Sequence, residues 1–201
     1  MTRPAPIVLA DVLDIAAYEK AREEWRTRAM AERELHRVRI GPIVSAAFEN
    51  RLTVLYQIQE MMRAERMVHD ADIQAEIDVY STTLPTPDEL SITLFIELQG
   101  DAMLREWLPK LIGIESTMSL DFGGAGVSSG VGEEGRHTAE TTSAVQYVRF
   151  PVTAAQREVL DSGGPVTFRI DHPEYTHTAP LSADLCVALA ADLEEIAASE
   201  A

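Results

Sequence analysis

Residues Leu90–Leu98 read LSITLFIEL. Apolar side chains recur at every second position and crowd the stretch overall, the pattern of a strand buried on at least one face. The strand divides two kinds of sequence. On its N-terminal side helical spacing prevails. Ile15 to about Leu35 carries Tyr18, Ala21, Trp25 and Ala29 at intervals of three and four, with Glu24 and Arg28 placed to pair. Arg51–Val68 is the longest helical pattern, and Asp72–Tyr80 is a shorter one for which Asp72 is the expected N-cap. Between the first two helices, His36–Ile40 and Ile43–Phe48 read as short strands around a Gly41-Pro42 turn. Leu84–Asp88, with two prolines, is a loop.

Beyond Leu98 strands prevail. Asp101–Leu111 has helical spacing that Pro109 should kink or split. Thr117–Phe122 and Ala144–Pro151 read as strands, Thr153–Leu160 as a short helix capped by Thr153, and Val166–Ile170 as a strand. Ser182–Ile196 reads as a terminal helix with Leu185, Leu189 and Leu193 as its buried stripe. Helices and strands mix without βαβ alternation and without a 20–50-residue repeat. The expected fold is α+β, a mainly antiparallel sheet packed against several helices in a single domain over 1–201. Residues 1–14 and 198–201 are expected to be loose, and 123–142 a flexible loop.

The 201 residues include 33 Asp and Glu against 17 Lys and Arg, a net charge of −16, with 46% hydrophobic residues. That balance suits a globular chain and opposes binding to nucleic acid or anionic membrane through a basic field. The charge is divided. Residues 1–70 hold eleven basic and eleven acidic residues, and 71–201 hold six and 22, so the acidity belongs wholly to the second part. Arg51, Arg63 and Arg66 are the expected bridges from the neutral part to the acidic one. Only Lys20 and Lys110 are lysine, and arginine suits bidentate pairs with carboxylates. No apolar run reaches membrane-span length, the first ten residues lack a signal-peptide core, and one cysteine, Cys186, excludes an internal disulfide. A cytoplasmic location is expected, with Cys186 a small core residue.

Three segments carry candidate chemistry. GGAGVSSGVGEEG at Gly123–Gly135 lacks the spacing of a phosphate loop and any following helix, so a hairpin loop is the reading. On the helix Arg51–Val68, Val54, Leu55, Ile58, Met61 and Met62 form the apolar face, while Gln59, Glu60 and Arg63 are polar, with Glu60 and Arg63 close enough to pair. Helical geometry sets Glu65 within the apolar stripe and His69 one turn on, where they could supply metal ligands or an acid–base pair, or simply reach water at a frayed end. IDHPEYTH at Ile170–His177 gathers Asp171, His172, Tyr175 and His177 in the turn after a strand, a place suited to metal ligation or acid–base work. His36 and His137 show no local constellation. A nucleophile elbow, HExxH helix, Walker loop and Cys-x-x-Cys pair are all missing.

The helix RLTVLYQIQEMMRAER (Arg51–Arg66), preceded by FEN, and the later IDHPEY (Ile170–Tyr175) together resemble an uncharacterised bacterial family, domain of unknown function 3501. The resemblance runs over nearly the whole chain and is most specific at Gln57, Gln59, Glu60 and Met61. It implies a small cytoplasmic protein working beside non-haem iron or redox chemistry, with rubrerythrin or iron–sulfur oxidoreductase proteins as the partners implied. It supplies no reaction, cofactor or catalytic residue.

Three readings follow. The first is an accessory or binding protein in an iron/redox stress context. The second is a small-molecule or metal site, with catalysis left open, between helix 51–68 and the 170–177 turn. Its candidate residues are Gln57, Gln59, Glu60, Arg63, Glu65, Asp171, His172 and Tyr175, and its metal set is Glu65, His69, His172 and His177. The third is a homodimer across the long helix. A purely structural role, the polar helix residues tying the helix to the sheet by hydrogen bonds, is the plainest alternative.

Overall fold

The computed structural model describes residues 7–133, 135, 138 and 140–199. In chain order it has α1 (Ile15–Leu35), β1 (Arg37–Arg39), β2 (Val44–Phe48), α2 (Arg51–Glu65), α3 (Asp70–Tyr80) and β3 (Glu89–Ile96). The second half adds α4 (Asp101–Trp107), β4 (Met118–Asp121), β5 (Val127–Ser129), β6 (Val131–Gly132), β7 (Val145–Pro151), α5 (Ala154–Asp161), β8 (Thr167–His172), β9 (Tyr175–Pro180) and α6 (Ala183–Ser199). The strands form two sheets, ordered β1-β2-β3-β7-β6 and β5-β4-β8-β9, with every pairing antiparallel. The fold is α+β, as expected. No helix among the described residues is long and apolar enough to cross a membrane.

The core lies where the inner faces of the two sheets meet. Phe48 and Phe150 of the first sheet meet Phe168 of the second edge-on, with ring centroids 6.5 and 5.7 Å apart, a favoured aromatic geometry. Leu185, Leu189 and Leu193 of α6 join the same cluster, as does Cys186, which is fully buried. A second, smaller cluster lies among the helices: Ile7, Val54, Leu55, Ile58, Met62, Ile77 and Leu84.

Caps fix the helix starts. Asp14, Asn50 and Thr153 each accept a backbone N–H in the first turn of α1, α2 and α5, and the Ser182 hydroxyl accepts from Leu185 N at 3.1 Å. Helix ends differ from the spacing-based limits. α2 stops at Glu65 because Arg66 turns left-handed at φ 54°. α3 begins at Asp70 with His69, not Asp72, at its N-cap. α4 stops two residues before Pro109, which has no N–H to continue the helical hydrogen-bond ladder.

Two strand segments lay beyond the periodicity. The glycine-rich 123–133 stretch is paired rather than flexible: β5 belongs to the second sheet and β6 to the first. Gly130 lies between them, donating its N–H to Met118 O at 2.8 Å. A Cβ there would come within 2.7 Å of Val148 Cγ1 and 3.2 Å of the Met118 carbonyl oxygen, so only glycine fits where the chain changes sheets. Residues 134, 136, 137 and 139 of the expected loop, with His137, lie outside the described residues, as do 200 and 201. The 170–177 turn is a hairpin, with β9 running antiparallel to β8 and His172 opposite Tyr175. Within residues 7–14, expected to be loose, Ile7 is 1% exposed and the Leu13 N–H is bonded to Gln59 Oε1 at 2.7 Å, while residues 8–10 and 14 are exposed.

Candidate functional site

The polar residues of α2 face α1 and the segment before it. Gln59, 1% exposed, accepts from Leu13 N and donates to Leu13 O at 3.2 Å. Glu60 accepts from Tyr18 Oη at 2.6 Å and from Arg22 Nε and Nη2, both at 2.8 Å. The Arg22 hydrogen bonds hold the Glu60 carboxyl below its ordinary pKa against partial burial. Burial, then Glu60 itself, push the Tyr18 hydroxyl well above the usual tyrosine range. Arg63 Nε donates to Glu19 at 2.6 Å, and Gln57 accepts from Arg33 Nη2 at 3.0 Å. The set ties helix to helix, not helix to sheet, and Glu60 pairs with Arg22 rather than Arg63. Glu65 is exposed, not within the apolar stripe, because the helix ends there, and His69 is exposed beyond it.

The hairpin groups are engaged elsewhere. Tyr175, 3% exposed, donates its hydroxyl to Ile40 O at 2.7 Å and accepts from Ile43 N at 3.2 Å, clamping the β1–β2 turn onto the second sheet. Burial raises its pKa. The His177 ring lies against Tyr175, tilted by 56°, with centroids 4.4 Å apart. Both rings press on Gly41, where a Cβ would lie 2.5 Å from Tyr175 Oη. His172 Nε2 is 3.1 Å from Ile112 O and its Nδ1 accepts from Glu174 N at 3.2 Å, so both nitrogens of the buried ring are in use. Asp171 is exposed. No hydrogen bond or ion pair joins the 57–65 set to the 171–177 set among the described residues, and Glu65, His69, His172 and His177 do not gather as metal ligands. Gln57, Gln59, Glu60 and Arg63 on one side, and His172 and Tyr175 on the other, are engaged separately, in two structural ties.

The expected arginine bridges are also elsewhere. Arg51 pairs with Asp11 at 2.8 Å and Arg63 with Glu19, both partners within the first 70 residues, and Arg66 is exposed. The links to the acidic part run from the β1 strand and the residue before it. Arg37 and Arg39 both pair with Glu97, and His36 pairs with Asp192.

That last pair belongs to the one grouping of metal-capable side chains found among the described residues: Glu32, His36 and Asp192, whose ligand atoms all lie within 4.8 Å of one another. Two elements bring them together. Glu32 is on the last turn of α1, His36 is the C-cap of that helix, and Asp192 is on α6. His36 is 1% exposed. Its Nδ1 is 3.0 Å from the Glu32 carbonyl oxygen, and its Nε2 is 2.8 Å from Asp192 Oδ2. Asn50, the cap of α2, donates from Nδ2 to Glu32 Oε1 at 2.6 Å and to Asp192 Oδ1 at 3.2 Å, orienting both carboxylates. Both ring nitrogens thus face acceptors. Burial opposes the imidazolium, but the Asp192 hydrogen bond and charge, with Glu32, outweigh it and raise the His36 pKa. Glu32 and Asp192 also line an open cavity of about 380 Å³ beside Trp25, Arg28 and Arg51.

In the sequence His36 stands without a local cluster of chemistry-bearing residues. The i,i+4 spacing of Glu32 and His36 was one legible signal. Asp192 lies 156 residues from His36, and no local pattern announces it.

The family model described as "Protein of unknown function (DUF3501)" matches residues 6–193. The crystal structure of a novel protein of unknown function from Burkholderia pseudomallei K96243 is similar at 33% identity and a TM-score of 0.87, over 92% of this chain and 98% of that one. Among curated proteins there is no significant match.

Proposed function

The chain belongs to the DUF3501 family, and we propose that it is a binding protein whose Glu32, His36 and Asp192 hold a divalent transition-metal ion. The observation that carries this reading is the setting of His36. A ring that gives its Nδ1–H to a backbone carbonyl is fixed in the tautomer that offers Nε2 to a metal. Nε2 then faces the Asp192 carboxylate at 2.8 Å, while Glu32 Oε1 lies 3.4 Å from Nδ1 of the same ring. One imidazole and two carboxylates suit iron(II), manganese(II) or zinc(II). With neutral His36, a divalent ion brings the three side chains to zero net charge in a largely buried site. Asn50 holds the carboxylates in place with or without the ion. The iron and redox setting implied by the family resemblance makes iron(II) the first ion to try and supports an accessory role beside proteins of rubrerythrin or iron–sulfur oxidoreductase type.

Calorimetric titration of metal-free protein with iron(II) under anaerobic conditions, then with manganese(II) and zinc(II), tests the site. We expect one ion per chain, and His36→Ala or Asp192→Asn to weaken binding at least tenfold, about 1.4 kcal/mol. Binding weaker than about 1 mM for all three ions, or unchanged in both variants, overturns the proposal. His36 would then be an imidazolium clasping α6 to α1.

A further inference from the structure

The outer face of the first sheet is unusual for a surface partly covered by helices. Its outward positions carry Ser45, Ser91 and Thr93, all nearly fully buried, where apolar residues would ordinarily cover a sheet beneath helices. Over this face, bounded by α1 and α2, lies a cavity of about 290 Å³. It continues into a second of about 160 Å³ that shares Thr83 and Tyr147 with the first.

Two charges line the larger cavity without opposite charges of their own. Glu49 follows β2 and is half-buried. Its two oxygens accept from neutral hydroxyls, Thr93 Oγ1 and Thr53 Oγ1, both at 2.6 Å. No cation pairs with it among the described residues. Arg33 is half-buried on α1. It donates to the neutral amide of Gln57 at 3.0 Å and lies over the Tyr56 ring at 5.3 Å. No carboxylate pairs with it among the described residues. The neighbouring Arg37 differs, being neutralised by Glu97. One cavity therefore holds a fixed anion and a fixed cation, both oriented by neutral donors and acceptors and not paired with each other.

We propose that this cavity binds a small zwitterion of the amino-acid class, its carboxylate on Arg33 and its ammonium on Glu49. A ligand with a single charge would neutralise one of the two groups and desolvate the other uncompensated, which is costly. A zwitterion satisfies both. Arg33 has a planar fork suited to a carboxylate. Glu49, fixed by two hydroxyls, presents an oriented acceptor to an ammonium. The adjoining cavity past Thr83 and Tyr147 takes the ligand's side chain. This site shares no side chain with the Glu32–His36–Asp192 cluster, so the two proposals stand or fall separately.

The test is calorimetry on the full chain with the twenty common amino acids, β-alanine and γ-aminobutyrate, one at a time. We expect at least one to bind at 1:1. Its N-acetyl derivative, lacking the ammonium, and its amide, lacking the carboxylate, should each bind at least tenfold more weakly. Glu49→Gln, which removes the charge and keeps one of the two acceptor oxygens used by the threonine hydroxyls, should weaken the parent ligand at least tenfold while leaving the amide-form affinity low. Arg33→Gln, on a different element, should do the same. No binding tighter than about 10 mM across the panel, equal binding of the N-acetyl form, or unchanged affinity in both variants overturns the proposal.

Discussion

The two hydrophobic clusters hold the molecule by different means. Between the sheets, apolar strands and α6 interlock around Phe48, Phe150 and Phe168. Around α1, α2 and α3 the cluster has seven buried members, and α2 is joined to α1 and the segment before it largely by polar ties: Gln59 to Leu13, Glu60 to Tyr18 and Arg22, Arg63 to Glu19 and Arg51 to Asp11. Apolar packing is non-directional and resists small changes of solvent. Charged ties are directional, and they weaken with acid or salt. A helix rich in Gln, Glu and Arg next to a modest apolar face is therefore explained by what joins it to the next helix before any chemistry is invoked.

The contrast can be broken most forcefully at its apolar side. Phe168→Ala removes the ring that both other phenylalanines meet, and should cost about 3–5 kcal/mol in denaturant unfolding. A loss below 1 kcal/mol would mean that the sheets do not depend on this ring. Tyr175→Phe keeps the ring but leaves Ile40 O and Ile43 N without their hydroxyl partner. It should cost about 1–2 kcal/mol, with hydrogen exchange rising first at the 40–44 turn.

The polar side sharpens the contrast through pH. Glu60 has a lowered pKa in the folded chain, so its contribution is present above the unfolded glutamate value of about 4.3 and is lost as pH falls through the lower folded value. Glu60→Gln should cost about 1 kcal/mol at pH 7, and the difference from the parent should shrink as pH drops below that value. A difference that stays constant down to pH 3 would remove the ion pair as its cause. Arg63→Ala, at a pair about 36–47% exposed, should cost no more than about 0.5 kcal/mol, and that little should vanish in 1 M salt.

Local patterns in the sequence carried most elements. The caps Thr153 and Ser182, the stripe Leu185, Leu189 and Leu193, and the strand at 89–96 all follow from spacing and side-chain chemistry over a few residues. What stayed hidden depends on distant partners. β9 alternates between apolar and polar, but its Thr-rich composition and the Pro173 before it read as a turn until β8 lies beside it. The glycines around 130 read as slack because their constraint, the Val148 and Met118 atoms they pass, is not in the local sequence. The polar residues of α2 were visible as a set, but their direction was not. The candidate metal centre was least legible, since it needs Asp192 from the last helix against His36 at the end of the first.

Gly130 has a further effect on folding. The pleat alternates residue by residue, so a one-residue slip of 127–129 in the second sheet would drag 131–132 out of phase in the first. The two sheets are geared through one position: neither pairing can be laid down independently of the other, and an error in one shows up as a mismatch in both. The pairing of β5 with β4 and of β6 with β7 should accordingly form and melt together, as one cooperative unit rather than as two hairpin edges that fray independently.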